Sequence, residues 1–330
     1  MNGRLHYLLH SGKNSHLKYF VKNYIQKCIP AIVYRSQLDR LLQQQNIRQD
    51  RGYILQRVGY YNKLSDLSLS DSSQWDIQSV AIGRQQVTKP SVYYYDSMAY
   101  ARYFDSSQRW ILLPGDITEV PAFPSIVKSR PICDDNANSV LLNMDKVRHF
   151  LFVDDKKAWR DKRNVAIFRG DLGPLKENRN VFMRRFGNGE SNMVDAASTN
   201  CYAENPGWQK EKMTIGEHLD YKFIMSLEGN DVASNLKWVM SSNSVAVMPR
   251  PTCETWFMEG MLIPDYHYIE VKADFSDLEE RLTYYIEHPA EAEAIISHAH
   301  EYVDQFRDKH RERLISLLVL KKYFEIVNNK

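Results

Sequence analysis

DYKFIMSLEGNDVASNLKWVMSSNSVAVMPRPTCETWFMEG, from Asp220 to Gly260, alternates apolar runs with polar breaks. Tyr221 to Leu227 is a short apolar run suited to a buried strand, broken by Glu228-Gly229-Asn230-Asp231. Val232, Leu236 and Val239 or Met240 recur at helical spacing, so Val232 to Met240 reads as a helix. Ser244 to Met248 is strand-like again and is closed by Pro249 and Pro251. Glu254 to Met261 reads as one or two further helical turns. A strand-loop-helix order repeated in this way implies a parallel sheet within an α/β fold. Ligands of such sheets bind beyond the carboxyl ends of the strands.

The polar residues of the segment fall at those ends. Asn230, Asp231, Ser234, Asn235 and Lys237 follow the first strand, and Thr252 and Glu254 follow the second. A helix start offers free N–H groups and a positive dipole end to an anion, and Lys237 would add a formal charge, which suits a diphosphate. Glu254 at the next helix start would accept hydrogen bonds from ribose hydroxyls. The same residues also suit plain structural roles, with Asp231 or Ser234 as a helix cap, Lys237 solvated and Glu254 complementing a dipole.

The segment GNDVASNLKWVMSSNSVAVMPRPTCETWFMEG, followed by YHYIEVKADFSDLEERL, resembles glycosyltransferase family 90, the capsule-associated-protein family, and its bacterial lipopolysaccharide branch in particular. The resemblance extends back through NVAIFRGDLG, Asn164 to Gly173, and GDITEVPAFPSIVKSRP, Gly115 to Pro131. It implies a GT-B type fold, two Rossmann-like domains facing a cleft. The expected division is an acceptor and base domain over 1–152, a nucleotide-sugar domain over 153–303, and a last helix over 304–330 packing back on the first domain.

The activity implied is transfer of a sugar, with inversion, from a UDP-sugar to a hydroxyl of a glycan acceptor such as lipopolysaccharide core or O-antigen. Asp116 resembles the family's catalytic aspartate, and Phe168-Arg169-Gly170 its donor-site motif. Arg169 and Gly170 thus join Asp231, Ser234, Asn235, Lys237 and Glu254 as donor-binding candidates. Lys128 and Arg130, in the VKSRP run, become candidates for phosphate or acceptor contact. No cofactor or metal is expected beyond the donor itself.

Read without the resemblance, Asp116 ends the strand Trp110 to Leu113 as a turn residue. Arginine suits bidentate phosphate contact and glycine close backbone approach. A second apolar run, His149 to Val153, reads as a strand ending at Asp154-Asp155. That pair gives the rival reading of a metal-dependent transferase, although its spacing differs from the Asp-x-Asp element that holds a divalent cation. A further rival is a non-catalytic protein that binds nucleotide or lipid.

The remaining features set the frame. At 330 residues, 43% hydrophobic and 25% charged, with a net charge of +2, the chain suits two ordinary domains, and nothing global demands nucleic acid. No run has the apolar length of a membrane span, and the first residues lack a signal peptide's continuous apolar segment. Cys28, Cys133, Cys201 and Cys253 form no C-x-x-C pair, which favours a cytoplasmic setting over a disulfide framework or zinc site. The first sixty residues are basic, with only Asp39 and Asp50 opposing Lys18, Lys22, Lys27, Arg35 and other cations. They form either a solvated face or a surface for anionic lipid at the inner face of the plasma membrane.

Leu17, Phe20, Val21, Tyr24 and Ile25 have helical spacing between those lysines, which predicts an amphipathic first helix. Tyr93 to Tyr95, Tyr100, Tyr103 and Phe104 cluster as core or as sugar-stacking rings. Val194 to Glu217 reads as mostly irregular. Helices are predicted over 276–288, 290–306 and 311–327.

Overall fold

The computed structural model describes residues 7, 10–65, 72–202 and 204–328. The chain folds as two compact units. One, here the helical unit, comprises 15–147, 253–258 and 306–330; the other, the sheet unit, comprises 1–14, 148–252 and 259–305. Among the described residues, 7 and 10–14 fall in the sheet unit and 253–258 in the helical unit.

The helical unit contains helices His16–Cys28, Leu38–Ile47, Arg51–Tyr61 and Ser91–Ala101, and strands β1 (Val80–Ala81), β2 (Arg109–Trp110), β3 (Ser125–Val127), β4 (Ser129–Pro131) and β5 (Ser139–Leu141). The final helix, Lys309–Asn328, packs against Arg51–Tyr61, Leu38–Ile47 and Ser91–Ala101. Its interior residues Leu314, Ile315, Leu317, Val319, Leu320 and Val327 are buried, so this helix is a core element. Strand β3 pairs in parallel with β5, and Leu112 bridges in parallel to Ile126. The predicted strand Trp110 to Leu113 therefore enters a short parallel ladder, with the Asp116 loop at its carboxyl end. The aromatic cluster is largely core: Tyr93, Tyr95, Tyr100, Tyr103 and Phe104 are buried.

The sheet unit holds β6 (Arg163–Gly170), β7 (Val194–Ser198), β8 (Tyr221–Met225), β9 (Val245–Met248) and β11 (Ile269–Glu270). All its pairings are parallel, in the order β11-β9-β8-β6-β7. Every residue of β8 and β9 is buried, which explains their continuous apolar runs: a sheet covered on both faces has no polar side. Phe168, Phe182, Phe223, Val247, Ile269 and Leu282 belong to its core. The tail helices Leu278–Glu287 and Pro289–Asp304 lie within a few residues of the expected spans.

Several expectations are corrected. The helix after β8 covers only Leu236–Met240, because Val232 to Asn235 form bends and a turn. Asn235 causes part of this, since its Nδ2 donates to the Met225 carbonyl at 3.0 Å and ties the loop to the end of β8. Glu254 does not begin a helix. Cys253–Thr255 is strand β10, antiparallel to β4, and a 3-10 turn at Glu259–Met261 follows. Residues 150–153 form no strand. Val194 to Glu217 is less irregular than its composition suggests, because it supplies β7 and the helix Ile215–His218, started by a Thr214–Glu217 capping box.

Candidate functional site

Numbered from β6, the sheet order reads 2-1-3-4-5, a doubly wound arrangement whose strand order reverses between β6 and β8. The crevice outside the carboxyl ends at such a reversal is the general ligand position of open α/β sheets. Here it is framed by Gly170-Asp171-Leu172 after β6 and by Ser226 to Asp231 after β8.

Arg179, in the first turn of helix Glu177–Phe186, reaches across this crevice. Its Nη1 donates to Asp171 Oδ1 at 2.5 Å, and Nε and Nη2 donate to the Leu227 carbonyl at 3.3 Å each. A Cβ on Gly229 would stand 3.0 Å from Arg179 Nη2, so glycine lets the guanidinium lie against the backbone after β8. Burial pushes the Arg179 guanidinium below its ordinary range, while Asp171 and Asp231 act in the opposite direction. Burial alone would raise Asp171, but its partners Lys176 and Arg179 hold it below the usual carboxylate range. The crevice thus presents a largely desolvated cation paired with Asp171.

The sequence-predicted donor residues divide around this crevice. Gly170 is at the end of β6, and a Cβ there would meet the Phe168 ring at 2.6 Å; the glycine is required by that ring. Asp231 is buried close enough to Arg179 to act on its charge. Ser234 and Asn235 are half-buried in the turn before the short helix.

Arg169 has its side chain turned to the neighbouring strand. Nη2 meets both Asp195 carboxylate oxygens at 2.9 Å, and Nη1 donates to the carbonyls of Phe168 and Asp195. The guanidinium pairing expected for phosphate is therefore occupied by Asp195. Against burial, the hydrogen bonds from Arg169 hold that carboxyl below its usual range. Lys237 is not solvated. Its side chain is 0% exposed and its ammonium is ion-paired with Glu259. A cation this deep requires a carboxylate beside it, which is the reason for the pairing.

Glu254 departs furthest from expectation. It lies on β10 directly opposite Arg130 on β4, with Nε to Oε1 at 2.8 Å, and it also accepts from the Tyr60 hydroxyl. Arg130 further donates to the carbonyls of Ser139 and Tyr60. Both side chains are buried, so Glu254 is not the helix-start carboxylate expected for a ribose, and Arg130 is an internal strut rather than a surface contact.

Asp116 occupies the second centre, in the helical unit. Gly115, at φ +110°, adopts a backbone conformation that other residues rarely reach, and this aims the loop. Ile117 N–H donates to Ser129 Oγ and Ser129 Oγ–H donates to the Ile117 carbonyl, both at 3.0 Å, stitching the loop to β4. Lys128, buried between β3 and β4, meets Asp116 Oδ1 at 2.5 Å, and the Tyr93 hydroxyl lies 3.4 Å from the same oxygen. The Asp116 side chain is 19% exposed, a carboxylate held at Oδ1 by Lys128 and within reach of solvent. Such a group has the geometry of a proton acceptor. Lys128 is ion-paired with Asp116.

The rival acidic pair diverges. Asp154 is 80% exposed beside Lys156, whereas Asp155 is buried and bonded to Lys162 Nζ, Asn243 N and Lys157 N. Among the described residues no group of three His, Cys, Asp or Glu side chains stands together as a metal-binding cluster.

Sequence reasoning missed Arg179, Asp171 and Asp195. Arg179 lies in an unremarkable polar stretch, ENRNVFMRRF, and only the strand order brings it to the crevice.

Comparison with known proteins places the chain in a family. The family model "Glycosyl transferase family 90" matches residues 140–326. A protein named O-glucosyltransferase LpsA from Dichelobacter nodosus is 40% identical over 278 residues, 84% of each chain. Protein O-glucosyltransferase 1 from Homo sapiens is 25% identical over 138 residues, 38% of this chain and 33% of that protein. These similarities define a transferase of glycosyl groups. The chain belongs to glycosyltransferase family 90.

Proposed function

We propose that the protein is an inverting glycosyltransferase that moves a hexose or pentose from a UDP-sugar to a hydroxyl of a glycan acceptor, a lipopolysaccharide core or O-antigen, at the cytoplasmic side of the membrane. Support for the glycan class comes from family membership and from the name of the bacterial relative, O-glucosyltransferase LpsA. In this reading the fold is of GT-B type, two Rossmann-like domains facing a cleft, with the donor on the sheet unit and the base on the helical unit.

The observation that carries the reading is the strand-order reversal between β6 and β8, where desolvated Arg179 lies against the Gly229 backbone. A diphosphate there would compete with Asp171 for the Arg179 and Lys176 cations. Arg179 and Lys176 would meet the phosphates, and Asp231, Ser234 and Asn235 would line the loop beside them. Arg169 and Lys237 would support the site from within, through Asp195 and Glu259.

The reaction is a single displacement. The acceptor oxygen attacks the anomeric carbon as Asp116 takes its proton. The bond from that carbon to the diphosphate oxygen breaks, UDP leaves with the electron pair, and the configuration inverts. Charge grows on the departing diphosphate, where cationic donors are most effective: a positioned donor is worth about 2.7–4 kcal/mol in related oxyanion cases. The cations are supplied by the chain, so this reading requires no metal.

A thermal-shift screen against UDP-, GDP-, ADP- and CMP-sugars tests the donor class, because a ligand of the folded state raises its melting temperature. Stabilisation by UDP and UDP-sugars alone is expected. Stabilisation by another nucleotide, with none by UDP, would overturn the donor assignment.

A further inference from the structure

Helix His16–Cys28 presents two apolar sides. At about 3.6 residues per turn, Tyr19, Phe20 and Asn23 share the side turned to the protein. Asn23 is buried there, the Tyr19 hydroxyl donates to the Val92 carbonyl at 3.3 Å, and Phe20 packs edge-on against Tyr95. Leu17, Val21, Tyr24 and Ile25 share the other side, and it faces water: Leu17 is 75% exposed and Ile25 62%. An ordinary surface helix buries its apolar stripe and exposes a polar one. This helix exposes an apolar stripe as well.

Charge follows the same geometry. Lys18 and Lys22 border the exposed apolar stripe on one side and both are exposed, whereas Lys27, seven residues on from Phe20, stands over the Tyr94 ring at 6.0 Å. From His16 to Leu38 the sequence contains no aspartate or glutamate. The next helix, Ala31–Arg35, continues the pattern with Ile32 67% exposed and Val33 exposed beside it.

We propose that this helix pair is a membrane-docking surface, which seats Leu17, Val21, Tyr24 and Ile25 among the acyl chains of an anionic bilayer while the bordering lysines meet the lipid phosphates. The partner is identified by two requirements. It must be apolar beneath a polar layer, to receive a narrow apolar stripe, and it must be negative along the border that Lys18 and Lys22 form. An anionic lipid surface meets both. No helix among the described residues is long and apolar enough to cross a membrane, so this mode of attachment lies on the surface rather than through it. It is independent of the donor assignment and stands whether or not UDP is bound.

Co-sedimentation of the full chain with phosphatidylcholine vesicles, with and without phosphatidylglycerol, tests the surface. Binding to the anionic vesicles is expected, weaker at high salt because screening shortens the attraction. Each of Lys18→Gln and Lys22→Gln should lower partitioning about fivefold. The triple variant Leu17→Ser/Val21→Ser/Ile25→Ser should abolish it at any salt, with an unchanged melting temperature and unchanged UDP binding. Equal sedimentation of the triple variant and the parent would overturn the proposal. So would the absence of binding to either vesicle, or a parent dimer in solution that the triple variant dissolves, which would make a second copy the occupant.

Discussion

Arg130 and Glu254 are cross-strand partners 124 residues apart in the chain, facing each other in the β4–β10 ladder with Nε and Oε1 at 2.8 Å. The pair explains why the short segment 253–258 leaves the sheet unit. Trp256 deepens the attachment, stacking on Tyr61 at 3.8 Å and donating from Nε1 to Glu312 at 2.6 Å, while Glu312 also pairs with buried Arg57. Glu254 and the Trp256 indole N–H meet these partners because the segment crosses over.

Glu254→Ala should therefore act on stability. Leaving Arg130 buried and uncompensated costs about 3–5 kcal/mol in comparable cases, read as a lower urea midpoint. UDP affinity of the folded variant should remain that of the parent. Unaltered stability with lost UDP binding would return Glu254 to the ribose contact first expected of it.

Arg179→Ala and Arg169→Ala should separate in calorimetric titration with UDP. Arg179→Ala removes the crevice cation and should weaken UDP about tenfold to a hundredfold, as for loss of a charged hydrogen bond. Arg169→Ala unties Asp195 and should lower the melting temperature with a smaller effect on UDP. The reverse order would place the phosphates on Arg169, as the FRG resemblance suggests.

Asp116→Asn keeps the shape of the side chain and removes its basicity. Loss of a general base costs about 10²–10⁴-fold in rate, so turnover should fall by that order with UDP binding nearly intact. Asp154→Asn should be close to normal, since that carboxylate meets only Lys156 in solvent. A dead Asp154→Asn beside an active Asp116→Asn would exchange this reading for the metal-dependent one, with EDTA inhibition and Mn²⁺ rescue as its signature.

His267 should make stability fall in mild acid. Burial, with His298 nearby, pushes its imidazole down to about 4 from an ordinary 6.5. The Ile263 N–H donates to Nδ1 at 2.9 Å, a bond that requires the unprotonated nitrogen. The unfolded chain takes up this proton first. The contribution is therefore complete above pH 6.5 and is lost as pH falls toward 4, by up to about 3 kcal/mol. Urea midpoints of the parent should drop between pH 7 and pH 4.5. In His267→Asn, whose Oδ1 can accept the same N–H, the drop should be shallower; equal slopes would remove His267 from the acid response.

The sequence by itself determined the local elements and the family. The apolar runs of β6, β8 and β9 are legible because strands buried on both faces leave no polar alternation to confuse the reading. The tail helices are legible because 3.6-residue periodicity survives in long elements. Asp116 could be placed in a loop after a strand because Pro114-Gly115 marks the turn locally.

Tertiary structure decided which charges face one another. Lys237 and Glu259 are 22 residues apart, Arg169 and Asp195 are 26 apart, and Arg179 reaches Leu227 across 48. A lysine's sequence neighbours do not reveal whether its ammonium meets water, phosphate or a buried carboxylate. That depends on the desolvation cost at its final position, which is set by packing. The short strand β10 was misread for the same reason: three residues carry too little periodicity to declare a period, and its pairing with β4 rests on Arg130, far away in the chain. Strand order, which brought Arg179 to the crevice, is a property of hydrogen bonds between distant segments and leaves no mark within any one of them.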